Sequence, residues 1–261
     1  VQGEQVGILW KELFSNYGIK IHFAHQTFNW SNEAKSNAAV HVVIIGFAQF
    51  DSTNKRIFEY ENIKSNAHEK SAKNINAYLV EGDDIVIEKR RKPLCNVLNI
   101  IKGNYYAKSE GLIIEEKDLD YLVKNEPNAK KWIKLLIGAD EFINNRKRYC
   151  LWLVDCPPDE LRKMPLVMER VNRVREDRLK STDKGMQNLA PIRFRETNNP
   201  DKCIVIPVVS SEKRPYIPIG FIDKNTISTN GNLIIPNGDL FLFGQLTSLM
   251  HMAWVKYTCG R

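Results

Sequence analysis

The longest apolar run of the chain, residues 42–48, is only as long as a β-strand. A helix that crosses a membrane needs about 18 or more consecutive apolar residues, and no stretch of the sequence approaches that length. The run lies within residues 38–50, where apolar side chains occupy both alternating faces. Because strands buried on both faces belong inside α/β sheets, we expect residues 38–50 to form an inner strand of such a sheet.

The residues before this strand predict a helix and a further strand. Apolar side chains recur at helical spacing over residues 4–17, and Gly18 is suited to end that helix. Residues 19–23 alternate in polarity, as a half-buried strand does, and a polar loop follows at 29–37. The chain has no initiating Met and no signal peptide, so we expect residues 1–50 to be the last helix and two strands of a domain that begins earlier.

The remainder of the chain predicts a mixed α+β domain after a connecting segment. Residues 51–94 are polar and end in the basic run 89–92. A solvated linker explains this run as well as a functional role does. Helices are predicted at 116–125, 128–136, 159–182 and 239–257, the third with a kink at Pro165. Strands are predicted at 111–114, 148–154, 203–209, 216–222 and 232–236. Because their order is irregular, we expect residues 95–261 to form one α+β domain.

The positive charge of the chain is concentrated in that domain. The net charge is +7, and residues 95–261 hold 26 basic against 20 acidic side chains, whereas residues 1–50 are neutral. A regional excess of positive charge is typical of modules that bind a polyanion. The five cysteines are scattered without a C-x-x-C pair, which favours reduced thiols in the cytoplasm over disulfides or a zinc site.

No motif in the sequence supplies a catalytic site of its own. Neither a G-x-G-x-x-G nor a phosphate-binding loop is present. Residues 156–159 (C-P-P-D) differ from the D/N-P-P-aromatic motif of amino-methyltransferases, because a thiol and an aspartate supply neither its hydrogen-bond acceptor nor its stacking ring. Residues 115–117 (E-E-K) are explained by the acidic first turn of a helix, and His251 by packing in an apolar helix. We therefore predict no catalytic, cofactor-binding or metal-binding residue.

Two blocks of sequence carry a specific resemblance. The first comprises residues 2–5, 23–35 (F-A-H-Q-T-F-N-W-S-N-E-A-K) and 38–47, and the second comprises residues 140–144, 148–153, 164–166, 216–221, 243–248 and 251–254. Together they resemble the MmeI-like (type IIL/IIG) bifunctional restriction–modification enzymes over essentially the whole chain. In that family one polypeptide joins a nuclease, a helical connector, an S-adenosylmethionine-dependent N6-adenine methyltransferase and a target-recognition domain.

The resemblance implies a role for each part of the chain. Residues 1–50 would end a Rossmann-like methyltransferase sheet, residues 51–94 would connect, and residues 95–261 would recognise a sequence of double-stranded DNA. The catalytic motifs, with the S-adenosylmethionine site and the Mg²⁺ of a nuclease, would lie upstream in the same polypeptide. We expect this chain alone to be inactive and to have no membrane partner. The alternative function is a module that organises an enzyme complex without contacting DNA.

The resemblance also implies a role for two aromatic residues. Phe28 and Trp30 occupy the position from which amino-methyltransferases present a ring to the flipped-out base. Chemistry on a base requires its extrusion from the duplex, and an aromatic face offsets part of the lost stacking. A hydrophobic plug at the end of a strand explains the two residues equally well.

The cations and planar donors of the C-terminal domain are the candidates for contacts with DNA. Lys and Arg bind phosphates, and Arg reads guanine through two hydrogen bonds in the major groove. The candidates are Lys102, Asn104, Arg146, Lys147, Arg148, Arg173, Arg175, Arg178, Lys184, Arg193, Arg195, Lys213 and Arg214. Arg193 and Arg195 are the sharpest pair, because a strand would project both side chains to one side. The turn at 102–104 is suited to aim backbone N–H groups at a phosphate.

Overall fold

The computed structural model describes residues 3–30, 40–62, 64–211 and 214–259. The chain divides into two compact units: unit 1 holds Val1–Leu94 and Ala253–Arg261, and unit 2 holds Cys95–Met252. Among the described residues, none of the helices combines the length and the apolar character that a membrane span requires. The mixed α+β class predicted from the sequence is confirmed, since the described residues form helices and three separate four-stranded sheets whose strands follow an irregular order.

Unit 1 is built on one mixed sheet. Its elements are α1 (Glu4–Tyr17), β1 (Lys20–Trp30), β2 (Val40–Ala48), β3 (Lys55–Glu59) and β4 (His68–Ala72). The strand order is β2-β1-β3-β4, with β1 and β3 parallel and the other pairs antiparallel. Helix α1 ends at Gly18, whose left-handed conformation (φ 60°) suits a residue without a Cβ. Trp10 of α1 packs with Ile21 and Ile57 in the core of the unit.

The prediction that residues 38–50 form a strand buried on both faces is wrong for the described part of the chain. Strand β2 pairs with β1 alone and is therefore an edge strand. Val40 and Phe47 are each 50% exposed. An apolar strand is buried on both faces only where a layer covers each of them, and the described residues cover β2 incompletely. Strand β1 is also longer than predicted and reaches Trp30; residues 31–37 of the predicted loop lie outside the described residues.

Within its described residues, unit 2 contains two four-stranded sheets together with helices of 3 to 15 residues. Its strands are β5 (Ile101–Lys102), β6 (Ile113–Glu115), β7 (Ile133–Ile137), β8 (Arg148–Leu151), β9 (Lys202–Pro207), β10 (Gly220–Asp223), β11 (Thr226–Ser228) and β12 (Asn232–Pro236). Its α-helices are α2 (Glu116–Asn125), α3 (Ala139–Asn144), α4 (Pro158–Leu161), α5 (Pro165–Leu179), α6 (Lys184–Gln187) and α7 (Leu240–Leu246), before α8 (Leu249–Thr258). Glu110–Leu112 and Pro127–Trp132 form 3₁₀ helices. The strand orders are β10-β9-β12-β5 and β11-β7-β8-β6.

Several predicted elements differ from those in the structure. Helix α2 is confirmed at 116–125. The predicted helix at 128–136 is wrong: a 3₁₀ helix occupies its first part, and its apolar end becomes β7, which pairs with both β8 and β11. The predicted helix at 159–182 is broken rather than kinked, because α4 ends at Leu161 and α5 starts afresh at Pro165.

Helix α5 packs one face into the core of unit 2. Its buried residues are Val167, Val171, Val174 and Arg178, which lie on one face of the helix. Glu126 satisfies two of the N–H groups that a helix start leaves unpaired: its Oε1 accepts from Leu166 N (2.6 Å) and its Oε2 from Val167 N (2.9 Å). Pro165 suits the first helical position because it has no N–H to satisfy.

Candidate nucleic-acid interface

Arg178 lies inside the protein, so its predicted contact with DNA is corrected. The residue is 1% exposed and continues the buried face of α5. Its guanidinium uses all five N–H donors within unit 2. Nε donates to Lys108 O (3.2 Å), Nη1 donates to Leu189 O (3.2 Å) and Ala190 O, and Nη2 donates to Ser109 Oγ and Arg193 O (both 2.6 Å). Burial lowers the pKa of Arg178, yet four carbonyl groups and one hydroxyl group compensate the buried charge.

Arg193 and Arg195 lie in a loop whose backbone is hydrogen-bonded to the buried side chain of Arg178. The predicted strand at 193–195 is wrong, since these residues are in an irregular segment. Arg195 is exposed over 54% of its side chain, and its Nη1 lies 3.8 Å from Asp183 Oδ2. Arg193 is half-buried and donates from Nη2 to Arg195 O (3.0 Å). Phe194, between them, is 1% exposed and packs edge-on against Trp152, so the loop is held by a ring as well as by Arg178.

Asn104 is a second candidate that the structure corrects. It is fully buried, and its side chain bridges two distant segments. Nδ2 donates to Asn198 O (2.9 Å) and Ser228 O (3.0 Å), while Oδ1 accepts from Asn198 N (2.8 Å). A side chain whose polar atoms are all paired inside the fold has no donor left for DNA. Asn104 is therefore a structural residue of unit 2.

The turn at 102–104 does not present its backbone donors to a phosphate. Gly103 N donates to Asn232 O (3.0 Å) and Asn104 N to Ser228 O (2.8 Å). Gly103 is required by this close approach, because a Cβ there would lie 2.1 Å from Thr229 O. Lys102 itself is exposed at the end of β5. Within this turn, only the Lys102 ammonium group remains a candidate for contact with a phosphate.

The segment 146–148 contains two exposed cations, Arg146 and Lys147, and one half-buried cation, Arg148. It follows Asn145, whose left-handed backbone (φ 52°) turns the chain from α3 into β8. Arg146 is 70% exposed and pairs with Asp140 (2.8 Å), and Lys147 is exposed. Arg148 is only 20% exposed and binds Glu141 (3.0 Å). Arg146 and Lys147 are thus the exposed cations of this segment, whereas Arg148 supports the turn through Glu141.

Arg146 and Lys147 line two adjoining open depressions of unit 2. The first, of about 1020 Å³, is bounded by Glu115, Glu116, Lys117, Asn145, Arg146 and Lys147. The second, of about 970 Å³, also has apolar walls that include Phe142, Tyr149, Phe221 and Ile222. Sequence reasoning missed Lys117 and Lys202, which line these depressions. The Lys202 ammonium lies 4.8 Å from the centre of the Phe221 ring, a contact between strands that no local pattern predicts.

The remaining cationic candidates lie on α5, α6 and a loop. Arg173 pairs with Glu169 (3.2 Å), and Arg175 donates to Asn172 Oδ1 (3.3 Å). These pairs form a solvated helix face of the kind that i,i+3 and i,i+4 spacing produces. Lys184 and Arg214 are exposed. Lys213 lies outside the described residues.

In unit 1, Phe28 and Trp30 belong to a set of stacked aromatic rings. Phe28 is half-buried and Trp30 is 50% exposed, with 6.3 Å between their ring centres. The Tyr60 ring stacks on Phe28 at 5.2 Å, with 18° between the planes. His25 stacks on Phe58 at 4.1 Å and 4°. Sequence reasoning missed Phe58 and Tyr60, because the pairing of β1 with β3 brings them to this surface.

The cysteines lead to a prediction about chemical reactivity. Cys95 and Cys259 are exposed, whereas Cys150, Cys156 and Cys203 are buried. Burial raises the pKa of Cys150 to about 12 and that of Cys203 to about 11. Because the thiolate is the reactive form, we expect a thiol reagent at neutral pH to modify two cysteines promptly and the other three only after unfolding. Mass spectrometry of the modified peptides measures this, and prompt modification of Cys150 would contradict the packing of β8.

Among the described residues, no group of three or more His, Cys, Asp or Glu side chains is arranged to hold a metal ion.

Comparison with known proteins identifies relatives along the whole chain. The sequence model of the MmeI target recognition domain matches residues 81–261, and that of the MmeI DNA-methyltransferase domain matches residues 1–59. The protein "DNA methyltransferase A" of Bacillus subtilis (strain 168) is 41% identical over 264 residues, covering 100% of this chain and 29% of the relative.

A solved structure gives the same relationship in three dimensions. The type IIL restriction-modification enzyme MmeI, determined in complex with DNA, superposes with a TM-score of 0.87 at 44% sequence identity. The match covers 100% of this chain and 35% of that chain. The chain therefore spans about a third of the length of the relatives it matches.

Proposed function

Since this chain belongs to the MmeI family through its target recognition domain, we propose that residues 95–261 recognise a specific sequence of duplex DNA. Residues 1–50 would be part of the adenine-methylating domain, together with β3 and β4, which pair into the same sheet, and the rest of residues 51–94 would connect the two domains. S-adenosylmethionine, and Mg²⁺ for a nuclease activity, would be bound elsewhere in the whole protein, and no residue described above is assigned to either. The proposal includes a cytoplasmic location, where the DNA of the cell is the substrate.

The anchored loop that carries Arg193 and Arg195 is the observation that supports DNA reading best. A base reader needs planar donors held in a fixed position, because ordering a flexible arginine on binding costs free energy. Arg178 and Phe194 hold this loop before DNA binds. The exposed Arg195 and half-buried Arg193 are therefore assigned to base edges. The exposed side chains of Lys102, Arg146, Lys147, Arg173, Arg175, Lys184 and Arg214, together with Lys213, are assigned to phosphates.

In the part of the chain proposed to belong to the methyltransferase domain, Phe28 and Trp30 are assigned to the flipped-out base. Their rings are partly exposed at the end of β1, where a flipped adenine would find an aromatic face. Phe28 is the better placed of the two, because the Tyr60 ring already supports it. Trp30 would close the edge of the site.

Salt dependence of DNA binding tests this proposal. Each phosphate contact releases counterions, so four or more contacts predict a loss of affinity of about a hundredfold or more between 50 and 200 mM salt. Fluorescence anisotropy with a labelled duplex measures the slope. Lys147→Ala should make the slope shallower by about one, and Lys163→Ala, an exposed cation outside the proposed set, should leave it unchanged. Salt-independent or absent binding would support the alternative of a non-DNA interaction module.

The methylated sequence can be identified directly. We expect the intact protein, produced in a host without other N6-adenine methylation, to methylate adenine in one defined sequence. Sequencing that detects N6-methyladenine reads this out across the genome. Sequence-specific DNA binding without any methylated adenine would contradict the proposed activity but leave DNA recognition intact.

A further inference from the structure

The aromatic rings at the end of β1 form two stacks that one hydrogen bond connects. In the first stack, the Arg56 guanidinium lies 5.8 Å from the centre of the Phe58 ring, which stacks on His25. In the second, Tyr60 stacks on Phe28. His25 Nδ1 and the Tyr60 hydroxyl are 2.8 Å apart. The position of Phe28 is thus linked through Tyr60 and His25 to the paired strands β1 and β3.

This set of rings is separate from the hydrophobic core of unit 1. The core contains Trp10, Ile21 and Ile57 but none of the rings in the two stacks. His25, Phe28, Phe58 and Tyr60 are all half-buried. Burying large apolar side chains is what usually explains an aromatic cluster. Rings held in order while they stay partly exposed point instead to a surface that meets a planar ligand.

Phe28 cannot fix its own orientation, because a phenyl ring has no polar group. Tyr60 provides both parts of the restraint: its ring covers Phe28, and its hydroxyl is held by His25. His25 in turn is held by the stacked Phe58 ring, and the backbones of His25 and Phe58 are paired in register. A fixed ring is a better stacking partner than a mobile one, because less conformational freedom is lost on binding.

We propose that Tyr60 and His25 are positioning residues that hold Phe28 in the orientation needed to stack on the flipped adenine. The proposal rests on the base-stacking role given to Phe28 above. Neither residue needs to touch the base. Their effect passes through Phe28, and this distinguishes them from residues that bind DNA.

The test uses the intact protein and a duplex in which 2-aminopurine replaces the target adenine found by methylation sequencing. Stacking quenches the emission of 2-aminopurine, so Phe28→Ala should raise the emission of the complex. Tyr60→Phe keeps the ring and removes the hydroxyl; it should raise the emission in the same direction while the Kd for DNA changes by less than about twofold. The single-turnover rate of methyl transfer on the natural duplex should fall about tenfold or more, as expected for misplacement near the reacting base.

A double-mutant cycle tests whether Tyr60 acts through Phe28. In the Phe28→Ala background, Tyr60→Phe should cause no further change in emission or rate, because its target is gone. His25→Asn places an amide near Nδ1 and should retain more of the rate than His25→Leu. Tyr78→Phe is the matched control: it also removes a hydrogen-bonded tyrosine hydroxyl, here one that accepts from Ile87 N (2.9 Å), and should leave the emission unchanged.

The outcomes separate this inference from the proposed function. If Phe28→Ala changes neither emission nor rate, the base-stacking role fails and the positioning role fails with it. If Phe28→Ala has its effect but Tyr60→Phe and His25→Leu behave as the wild type, only the positioning role is overturned. It is also overturned if the effects of Tyr60→Phe and Phe28→Ala multiply, or if Tyr78→Phe raises the emission as much as Tyr60→Phe.

Discussion

Replacing Arg178 by methionine is expected to lower the free energy of unfolding by about 3–5 kcal/mol. The replacement removes five hydrogen bonds and leaves Lys108 O, Leu189 O and Arg193 O without the donor they have in the fold, while Ala190 O keeps its bond from Arg193 N (3.3 Å). Methionine matches the aliphatic part of the side chain but not the guanidinium, so the loss reflects unpaired acceptors together with the space that the guanidinium leaves. For a unit of this size the melting temperature should fall by about 10 °C.

Arg175→Met is the matched control, because it changes the same residue type on the exposed side of α5. It should alter the free energy of unfolding by less than about 0.5 kcal/mol. Arg178→Lys should be intermediate at best, since an ammonium group has three donors where the site has five acceptors. Chemical denaturation measures all three variants. An Arg178→Met protein as stable as the wild type would show that the guanidinium is not the anchor of the loop.

Arg178→Met also predicts weaker DNA binding without a direct contact. If Arg178 anchors the loop of Arg193 and Arg195, its loss should reduce specific affinity through disorder of that loop. The defect should then increase with temperature as the variant approaches its melting point. A variant of normal stability with weak DNA binding would instead indicate that Arg178 meets DNA itself.

Arg193→Ala and Arg195→Ala carry the second large prediction. A bidentate arginine–guanine contact discriminates by about 1–3 kcal/mol, so each variant should lose about 5- to 150-fold in affinity for the recognised sequence. Binding to unrelated duplex should change little, because phosphate contacts supply that affinity. Methylation sequencing should show one position of the recognised sequence becoming degenerate.

Comparison of two duplexes separates reading from simple charge. Lys163→Ala removes one exposed positive charge of unit 2 outside the proposed set and should leave both affinities within about twofold of the wild type. An equal loss of affinity on recognised and unrelated DNA would place Arg193 or Arg195 on phosphates instead of bases. No loss on either duplex would remove the loop from the interface.

Local patterns predicted those elements whose own periodicity fits only one kind of secondary structure. Helix α2 and strand β12 formed where their periodicity indicated. The kink predicted at Pro165 is instead the start of α5, because a residue without an N–H suits the first turn of a helix. Residues 133–137 were misassigned because a short apolar run suits a buried helix and a central strand equally well. Pairing with β8 and β11 decided in favour of the strand.

The candidate site also combines features that can be read from the sequence with features that only folding determines. The charge excess and the arginine-rich segments can be read from the chain, but a buried arginine and an exposed one look alike in sequence. Arg178 is buried because acceptors as far as 70 residues away converge on it. His25 and Phe28, which strict alternation would place on opposite faces, share a face because β1 has an irregular register between them.

The sequence by itself determined the family resemblance, the α+β class, the absence of a membrane-length apolar run and the regional excess of positive charge. These are properties of composition and of contacts between near neighbours. Only the tertiary structure decided which cations are exposed, which polar groups are already paired, and which rings support Phe28. Those outcomes depend on segments that are far apart along the chain, and hydrogen-bond acceptors and aromatic faces acquire a partner only when folding brings such segments together.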